Sequence, residues 1–286
     1  MSADSVLAHR TALLLRDPAR AADTVSRLAE RGASAAVCRL IDFELPADTL
    51  VLDEGVRRLL AGNFDWLVLT SVNTARALEL RAAALDLRLF IPATTKVAVV
   101  GEATAHAVKA LGAGVDFMPA HDHSARGMLT EWDQLRTGEP GSVFMPQADI
   151  ASSTLRDGLA ARGWDAHIVI AYRTVPAPAD PFRALHAPVP DPELPQGSYL
   201  LERGQLPAAI DTLDAVFFTS PSTVDQFLSL VPAPAADLAL VAIGDSTAAR
   251  LRARGLEPAA TALFPTPAGL IDAWEQSLRT ATHPPT

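Results

Sequence analysis

Short apolar runs alternate with longer segments of helical period along the whole chain. The runs WLVL at 66–69 and VAVV at 97–100 are typical, and apolar side chains recur every third or fourth residue in the segments between such runs. This alternation is characteristic of α/β proteins with mostly parallel sheets. It predicts strands near residues 12–16, 34–42, 66–70, 97–100, 115–118, 142–146, 166–173, 215–219, 239–243 and 259–263.

The ends of the predicted helices carry recognisable capping residues. Ser220 and Thr266 each precede a proline, which predicts a helix that begins with a capping hydroxyl and a first-turn proline. Ser124 is expected to cap a helix in the same way. Glycines that follow helical segments are expected to end them in a left-handed conformation, and they are Gly32, Gly112, Gly163 and Gly255.

The chain also repeats itself. Residues 11–41 align without a gap on residues 142–172, and DWLVLTSVNTARAL at 65–78 returns as DAVFFTSPSTVDQFL at 214–228. The run VAVVGEATAHAVKALG likewise returns as LVAIGDSTAARLRARG. Repeats in this order fit two arrangements. Either two domains follow one another, or the middle of the chain closes on itself while the first repeat completes the C-terminal part.

A proline-rich stretch interrupts the second half of the chain. Seven prolines lie between Pro176 and Pro195, a density that neither a helix interior nor a central strand accommodates. The stretch is predicted to be a solvated excursion, partly of polyproline type. Residues 43–55 are predicted to form a matching excursion.

Bulk composition narrows the class of protein. A chain of 286 residues with 49% hydrophobic residues can bury the cores of two domains. No apolar run approaches the roughly eighteen residues of a membrane span, and residues 1–10 do not resemble a secretion signal, so no membrane partner and a cytoplasmic location are expected. A net charge of −9 argues against a nucleic-acid partner. Cys38 is the only cysteine and is expected to be a buried structural thiol.

The repeated turns GEATA and GDSTA suggest binding chemistry. In each, a predicted strand ends at a glycine and a helix begins, so free backbone N–H groups and the positive end of the helix dipole would face a ligand at the carboxyl end of the strand. Such turns are anion receptors. Helix capping alone is the competing interpretation of their hydroxyls. The candidate binding residues at these and the related turns are Thr70, Ser71, Asn73, Gly101, Thr104, Ser124, Thr219, Ser220, Ser222, Gly244 and Thr247.

Other catalytic or cofactor motifs are missing from the sequence. Nucleotide-binding glycine motifs, zinc-protease helices and nucleophile elbows do not occur. The sequence HDH at 121–123 has no third ligand in view and is expected to be a solvated loop. No metal and no cofactor are therefore expected.

The motifs LTSVNTARAL, VAVVGEATAHAVKALG, AYRTVP, FFTSPSTVDQFL and VAIGDSTAARLRARG, in this order, resemble the uroporphyrinogen-III synthase family over about residues 11–279. The resemblance implies two similar parallel-sheet α/β domains joined by a two-stranded linker, with the active site in the cleft between them. The first domain would be discontinuous, comprising 1–39 and 172–286, and 40–171 would form the inserted domain.

The resemblance also implies an activity. Family members close hydroxymethylbilane, a linear tetrapyrrole with eight carboxylates, to uroporphyrinogen III, with inversion of ring D, loss of water and no cofactor. Tyr172 matches a tyrosine proposed to assist departure of the hydroxyl, and Arg16 matches a recurrent arginine that could bind a carboxylate. Gln147 departs from the family pattern, which puts a cationic contact from the middle of the chain in doubt. A transient hand-over from the preceding, hydroxymethylbilane-forming enzyme is a further expectation.

Two other interpretations remain open. A two-lobed protein that binds a small anion without reacting it would carry the same repeats. A regulatory protein with a degenerate synthase fold would also carry them, and the unusual turn at Gln147 keeps that interpretation open.

Overall fold

A computed structural model describes residues 5–135, 139–187 and 193–282. Contacts divide the chain into two compact units. Unit 1 comprises Met1–Ile41, Pro176–Pro178 and Pro188–Thr286, and unit 2 comprises Asp42–Val175 and Ala179–Ala187. Residues 179–187 thus join unit 2, and the domain bounds 1–39 with 172–286 and 40–171 stay a prediction.

Strands and helices alternate in both units, as the hydrophobic pattern predicts. The strands are β1 (Thr11–Leu14), β2 (Ser34–Val37), β3 (Ile41–Glu44), β4 (Trp66–Leu69), β5 (Lys96–Val99), β6 (Ser142–Ala148), β7 (Asp165–Pro176), β8 (Tyr199–Leu200), β9 (Ala215–Phe218), β10 (Ala239–Ala242) and β11 (Ala260–Thr261). The helices are α1 (Pro18–Glu30), α2 (Leu50–Leu60), α3 (Val72–Ala84), α4 (Glu102–Ala110), α5 (Ala125–Trp132), α6 (Thr154–Ala160), α7 (Leu206–Ala209), α8 (Pro221–Leu230), α9 (Asp245–Ala253) and α10 (Pro267–Thr282).

Unit 1 is built on a six-stranded sheet in the order β11-β10-β9-β1-β2-β8, and its paired strands are parallel. Neighbouring residues of one strand point to opposite faces of the sheet, and a core covers each face. Leu13 and Phe218 pack in one core with residues of α8 and α9. Leu14 and Phe217 pack in the other core with Trp274 of α10.

Unit 2 has a five-stranded sheet in the order β3-β7-β6-β4-β5, and β4 through β7 pair in parallel. Leu67 and Leu69 face one core, whereas Trp66 and Val68 face the other. The Trp66 ring lies 5.0 Å from that of Trp132 in α5. Continuous burial of β4 explains why its sequence is apolar at every position.

Two strand predictions need correction, and one strand was not predicted. Predicted strand 34–42 is two strands: β2 ends at Val37, and β3 belongs to the sheet of unit 2. Predicted strand 115–118 is a single bridge between Ala98 and Phe117, because the Asp116 carboxylate takes the Val97 N–H at 2.8 Å and competes with a regular ladder. The two-residue β8 is the strand that the pattern missed.

The predicted excursions are also partly wrong. Residues 43–55 contain the end of β3 and the start of α2 rather than an excursion. Of the proline-rich stretch, residues 179–187 pack on unit 2: Ala184 bridges to Glu44, and Leu185 is buried. Residues 188–192 lie outside the described part of the chain.

The predicted helix caps are confirmed. Ser124 Oγ accepts the N–H of Gly127 at 3.2 Å, and Thr266 Oγ1 accepts that of Gly269 at 3.1 Å. Ser220 Oγ accepts the N–H of Thr223. All the glycines predicted to end helices have positive φ, namely Gly32, Gly112, Gly163 and Gly255.

Candidate functional site

The carboxyl ends of the parallel strands gather most candidate residues at one edge of each sheet. In unit 2, Thr70 and Ser71 follow β4, and Gly101 follows the neighbouring β5. Tyr172 lies on β7, two strands from β4 on its other side. Ligands of open α/β sheets bind at this edge.

Ser71 lies in the turn after β4 and caps the start of α3. Its backbone is extended, and its Oγ accepts the N–H of Asn73 at 3.2 Å. The Ser71 hydroxyl therefore caps α3, as the capping interpretation predicts. It also makes a second contact, with Tyr172. Thr70, the preceding residue, is half-buried.

Strand register brings Tyr172 to the level of Ser71. Trp66 pairs with Val143, and continuing that offset places Ser71 level with Ala148, which pairs with Tyr172 next to an irregularity in the β6–β7 ladder. Such irregularities redirect side chains. The Tyr172 hydroxyl donates to Ser71 Oγ at 3.2 Å.

The Tyr172 phenol is buried, with 6% of the residue exposed. Burial raises the pKa of Tyr172, while hydrogen bonding with the side chains of Ser71 and Asn73 lowers it and the Asp149 charge raises it further. The phenol is thus protonated at neutral pH and has a hydrogen-bond partner. It is placed to act as a proton donor.

The turn after β6 is the place where the sequence departs from the family pattern. Gln147 is a residue of β6 itself, and the following turn presents the Asp149 carboxylate. That carboxylate accepts the N–H of Thr174 at 2.9 Å and lies 3.8 Å from the Arg173 guanidinium. Arg173 thus brings a positive charge next to this turn.

In unit 1 the corresponding turn follows β9. Ser220 and Thr223 form a reciprocal capping box at the start of α8, and Ser220 Oγ lies 2.9 Å from the exposed Ser222 Oγ. Thr219 is half-buried beside them. The Ser220 hydroxyl is thus committed to its own helix and to a neighbouring hydroxyl.

The two glycine turns differ from the serine turns. No side chain caps α4 at Gly101 or α9 at Gly244. Both glycines have extended backbones, with φ of −154° and 177°, and a Cβ at either would meet nothing within 4 Å. By contrast, a Cβ on Gly55 would lie 2.7 Å from Phe144 Cζ. Neither packing nor backbone conformation thus requires a glycine at position 101 or 244. The space beside each Cα is open to a ligand.

Thr104 and Thr247 lie one turn into these helices. Their exposed fractions are 5% and 1%, so the structure places both side chains in the protein interior beside the uncapped turns. Their predicted contact with a ligand stays a prediction.

Arg16 follows β1 at the same edge of unit 1. Burial lowers the pKa of Arg16, with Arg20 lowering it further and Asp17 opposing the shift. Its Nε is shielded from solvent and has no hydrogen-bond partner within the described chain. A buried N–H donor without an acceptor is costly, and an incoming carboxylate would satisfy it.

Arg203 is a candidate that the sequence pattern missed. It follows β8, which pairs in parallel with β2, so it emerges at the same edge as Arg16. Its Nε is also buried without a partner in the described chain. Burial raises the pKa of Cys38 to about 11, and the charge of Arg203 opposes that rise, which locates the guanidinium near the buried thiol. Only recognition of the short β8 could have revealed this residue.

His186 is a second residue that the pattern missed. It lies in the proline-rich stretch, and its Nε2 is 3.1 Å from Asn73 Oδ1. The proline density predicts solvation for this stretch, so nothing in the sequence places this histidine beside α3.

The remaining candidates lie apart from these contacts. Ser124 caps α5 and has no described contact with another candidate. The HDH residues are exposed. Within residues 5–135, 139–187 and 193–282, no group of three histidine, cysteine or acidic side chains could hold a metal ion, and no helix has the length and apolar character needed to cross a lipid bilayer.

Comparisons with known proteins identify the family of this chain and relatives of its fold. A family model described as uroporphyrinogen-III synthase HemD matches residues 22–272. A uroporphyrinogen-III synthase of Synechococcus elongatus is 32% identical over 119 residues, which cover 41% of this chain and 43% of that protein. The sequence match therefore spans less than half the length of that curated relative.

Two solved structures share the fold. A mutant uroporphyrinogen III synthase from the extremely thermophilic bacterium Thermus thermophilus has a TM-score of 0.62 at 19% identity, covering 95% of this chain and 99% of that one. A uroporphyrinogen-III synthetase from Helicobacter pylori has a TM-score of 0.52 at 16% identity, covering 92% and 97%. Both resemble this chain at the level of the fold.

Proposed function

The chain belongs to the uroporphyrinogen-III synthase family, and we propose that it converts hydroxymethylbilane to uroporphyrinogen III. The reaction breaks the bond between the terminal carbon and its hydroxyl, which leaves as water. Ring D is inverted as the macrocycle closes. No oxidant or reductant is needed, because the product differs from the substrate only by the water that is lost.

The observation that carries the proposal is the hydrogen bond from the buried Tyr172 hydroxyl to Ser71 Oγ at 3.2 Å. It puts a protonated phenol at the ligand-binding edge of the sheet of unit 2. Tyr172 would donate its proton to the departing hydroxyl, which takes the electron pair of the breaking bond and becomes water. The phenolate would regain a proton from the ring carbon that loses one when the closed tetrapyrrole forms.

Carboxylate binding is assigned to the uncapped turns and to the arginines without acceptors. The helix starts at Gly101 and Gly244 supply backbone N–H donors and the positive ends of helix dipoles. In unit 1, the half-buried Arg16 and Arg203 would each supply a buried Nε–H donor. Mostly neutral donors suit a protein with a net charge of −9, because they bind anions without a large cluster of cations.

Selectivity then comes from the conformation in which the substrate is held. Hydroxymethylbilane is reactive enough to close unaided, which gives the unrearranged isomer, so the enzyme must favour one transition state over another. A tenfold preference corresponds to about 1.4 kcal/mol. A few well-placed hydrogen bonds can supply that difference.

The proposal also includes the domain arrangement, the location and the partners predicted from the sequence. Units 1 and 2 would be the two domains of the arrangement in which the middle of the chain closes on itself while the first repeat completes the C-terminal part. The protein would act in the cytoplasm and receive its unstable substrate by transient hand-over from the enzyme that makes it. Neither nucleic acid nor membrane takes part.

Product analysis tests the function against its alternatives. Purified protein is incubated with freshly made hydroxymethylbilane, and the oxidised products are resolved into isomers I and III. Predominant isomer III supports the proposal. Isomer I at the rate seen without protein would reject it and favour a protein that binds an anion or regulates another process.

A further inference from the structure

We infer that His186 is a positioning residue for Tyr172, acting through the side-chain amide of Asn73. The inference deepens the proposed function and rests on it, since it assigns to the proline-rich stretch a role in the same site. It concerns three residues of unit 2 and the segment 179–187 that carries the histidine.

The segment is held firmly on unit 2. Leu45 N–H donates to Arg183 O at 2.8 Å, and Leu185 N–H donates to Phe43 O at 2.9 Å. Arg76 Nε donates to Leu185 O at 3.3 Å, and the Leu185 side chain is 1% exposed. His186 is exposed, yet its backbone is fixed by the residues immediately before it.

The hydrogen bond between His186 and Asn73 defines the orientation of the amide. Asn73 Oδ1 can only accept, so the His186 Nε2 that lies 3.1 Å away carries the proton and donates. The other end of the amide, Nδ2, is then left as a donor. Hydrogen bonding with the Asn73 side chain lowers the pKa of Tyr172, as a donor to the phenol oxygen does.

Aromatic contacts align the same three groups. The Phe43 ring stands edge-on to Tyr172 with centroids 5.7 Å apart, and edge-on to His186 with centroids 6.4 Å apart. Phe43 thus contacts both rings. The polar connection from the imidazole to the phenol runs through Asn73 and Ser71 Oγ.

The hydrogen bonds that join these residues run from His186 Nε2–H to Asn73 Oδ1, and from the Asn73 backbone N–H and the Tyr172 O–H to the shared acceptor Ser71 Oγ. Each donor polarises the group that accepts from it. Negative charge develops on Tyr172 Oη when its proton leaves, and the Asn73 donor stabilises that charge. His186 therefore makes the phenol a better acid without touching the substrate.

The test measures the acidity of Tyr172 directly. The chain has two tyrosines, so a Tyr199→Phe background leaves Tyr172 as the one tyrosine. Replacing tyrosine with 3,5-difluorotyrosine during expression lowers the intrinsic pKa into a mild pH range, and fluorine NMR then follows the titration. The pKa is measured in protein with and without His186→Ala, alongside kcat and KM for hydroxymethylbilane.

We expect His186→Ala to raise the pKa of Tyr172 by about one unit, a tenfold change in acidity, and to lower kcat about tenfold with KM within twofold. His186→Gln keeps an amide N–H donor and should restore most of both effects. The control is Phe182→Ala, because Phe182 lies on the same segment and is 96% exposed. This control should change neither quantity.

An unchanged pKa in His186→Ala would overturn the inference. So would an equal shift in Phe182→Ala, because the segment would then act through packing. Full activity of Tyr172→Phe together with a shifted pKa in His186→Ala would refute the acid role of Tyr172 in the proposed function while leaving the positioning network intact.

Discussion

At the scale of single residues, Tyr172 combines burial with polar contacts that offset part of the effect of burial. Burial alone would make the phenol a very weak acid, whereas hydrogen bonding to Ser71 and Asn73 lowers its pKa. Ion pairing between Asp149 and Arg173 also reduces the negative charge that the phenolate would face. The Tyr172 side chain is therefore suited to give up its proton only when a proton acceptor is in place.

Tyr172→Phe tests that role. Because the substitution keeps the ring and its contact with Phe43, the free energy of unfolding should fall by no more than about 1 kcal/mol, the net value of one neutral hydrogen bond. Loss of the acid should lower kcat about a hundredfold. Steady-state kinetics and chemical denaturation measure the two quantities, and Tyr199→Phe is the matched control. Unaltered kcat would mean that Tyr172 is structural.

Gly101 is the second residue whose surroundings point to a ligand. Its backbone is extended and the space for a Cβ is open, so Gly101→Ala should change the free energy of unfolding by no more than about 1 kcal/mol, because the loss of chain entropy in the unfolded state offsets the poorer N-cap that alanine makes. The added methyl would occupy the space proposed for a carboxylate. We expect KM to rise about tenfold, equivalent to about 1.4 kcal/mol of binding.

Gly114→Ala is the control for this substitution, since Gly114 also has open space around it and lies in the same unit away from the turn. Equal KM values in the two variants would remove the Gly101 turn from the site. Gly244→Ala makes the same test in unit 1.

At the scale of elements, the strand-to-helix turns divide into two kinds. Ser71 and Ser220 each cap their own helix, whereas the starts at Gly101 and Gly244 lack a side-chain cap. In a capped start, one of the free N–H groups is already bonded internally. The starts at Gly101 and Gly244 have no side-chain acceptor for these N–H groups, and we therefore propose them as the anion-binding turns.

Arg203 offers a further donor for an anion, next to the edge strand β8. Placed by β8 beside the end of β2, it has a buried Nε without an acceptor in the described chain. Because a charged hydrogen bond contributes about 1.5–3 kcal/mol, Arg203→Gln should raise KM at least tenfold while kcat stays within threefold. The control is Arg252→Gln, which removes a surface ion pair with Glu257. Equal KM values would exclude Arg203 from binding.

The regular elements are predictable from the sequence because hydrophobic period and capping chemistry are local. β4 and β9 are apolar throughout, and Ser220 indicates the start of α8 through the proline that follows it. β8 is not predictable, since a two-residue edge strand has no period. The packing of Leu185 and His186 on unit 2 depends on contacts with residues that are distant in sequence, so proline density leads to the wrong expectation of solvation.

At the scale of the whole molecule, the two units have separate sheets and separate cores, and they carry different titrating groups. His167 of unit 2 stacks against Phe64 and Phe144, and its Nε2 is buried without a partner in the described chain. Asp225 of unit 1 accepts hydrogen bonds from Arg250 and Arg254. Acid should therefore weaken the two units in different pH ranges.

The direction in which stability changes with pH depends on whether the native or the unfolded chain binds more protons. Burial, then the charge of Arg58, lowers the pKa of His167 from 6.5 in the native protein, so the unfolded chain binds more protons below that pH and stability falls as pH falls. Hydrogen bonding from Arg250 is the largest effect on Asp225, and its pKa lies below 3.8. The stability that Asp225 contributes is lost only as pH falls through that lower range.

Thermal unfolding followed by circular dichroism between pH 8 and pH 3 measures both effects. We expect Tm to decline first as pH falls below about 6.5 and again in strong acid. His167→Phe, which replaces one flat ring with another against Phe64 and Phe144, should remove the first decline and keep the second. His121→Gln, at an exposed loop histidine, should leave both in place. A Tm that rises on acidification from pH 7 to pH 5 would contradict the burial of a neutral imidazole in unit 2.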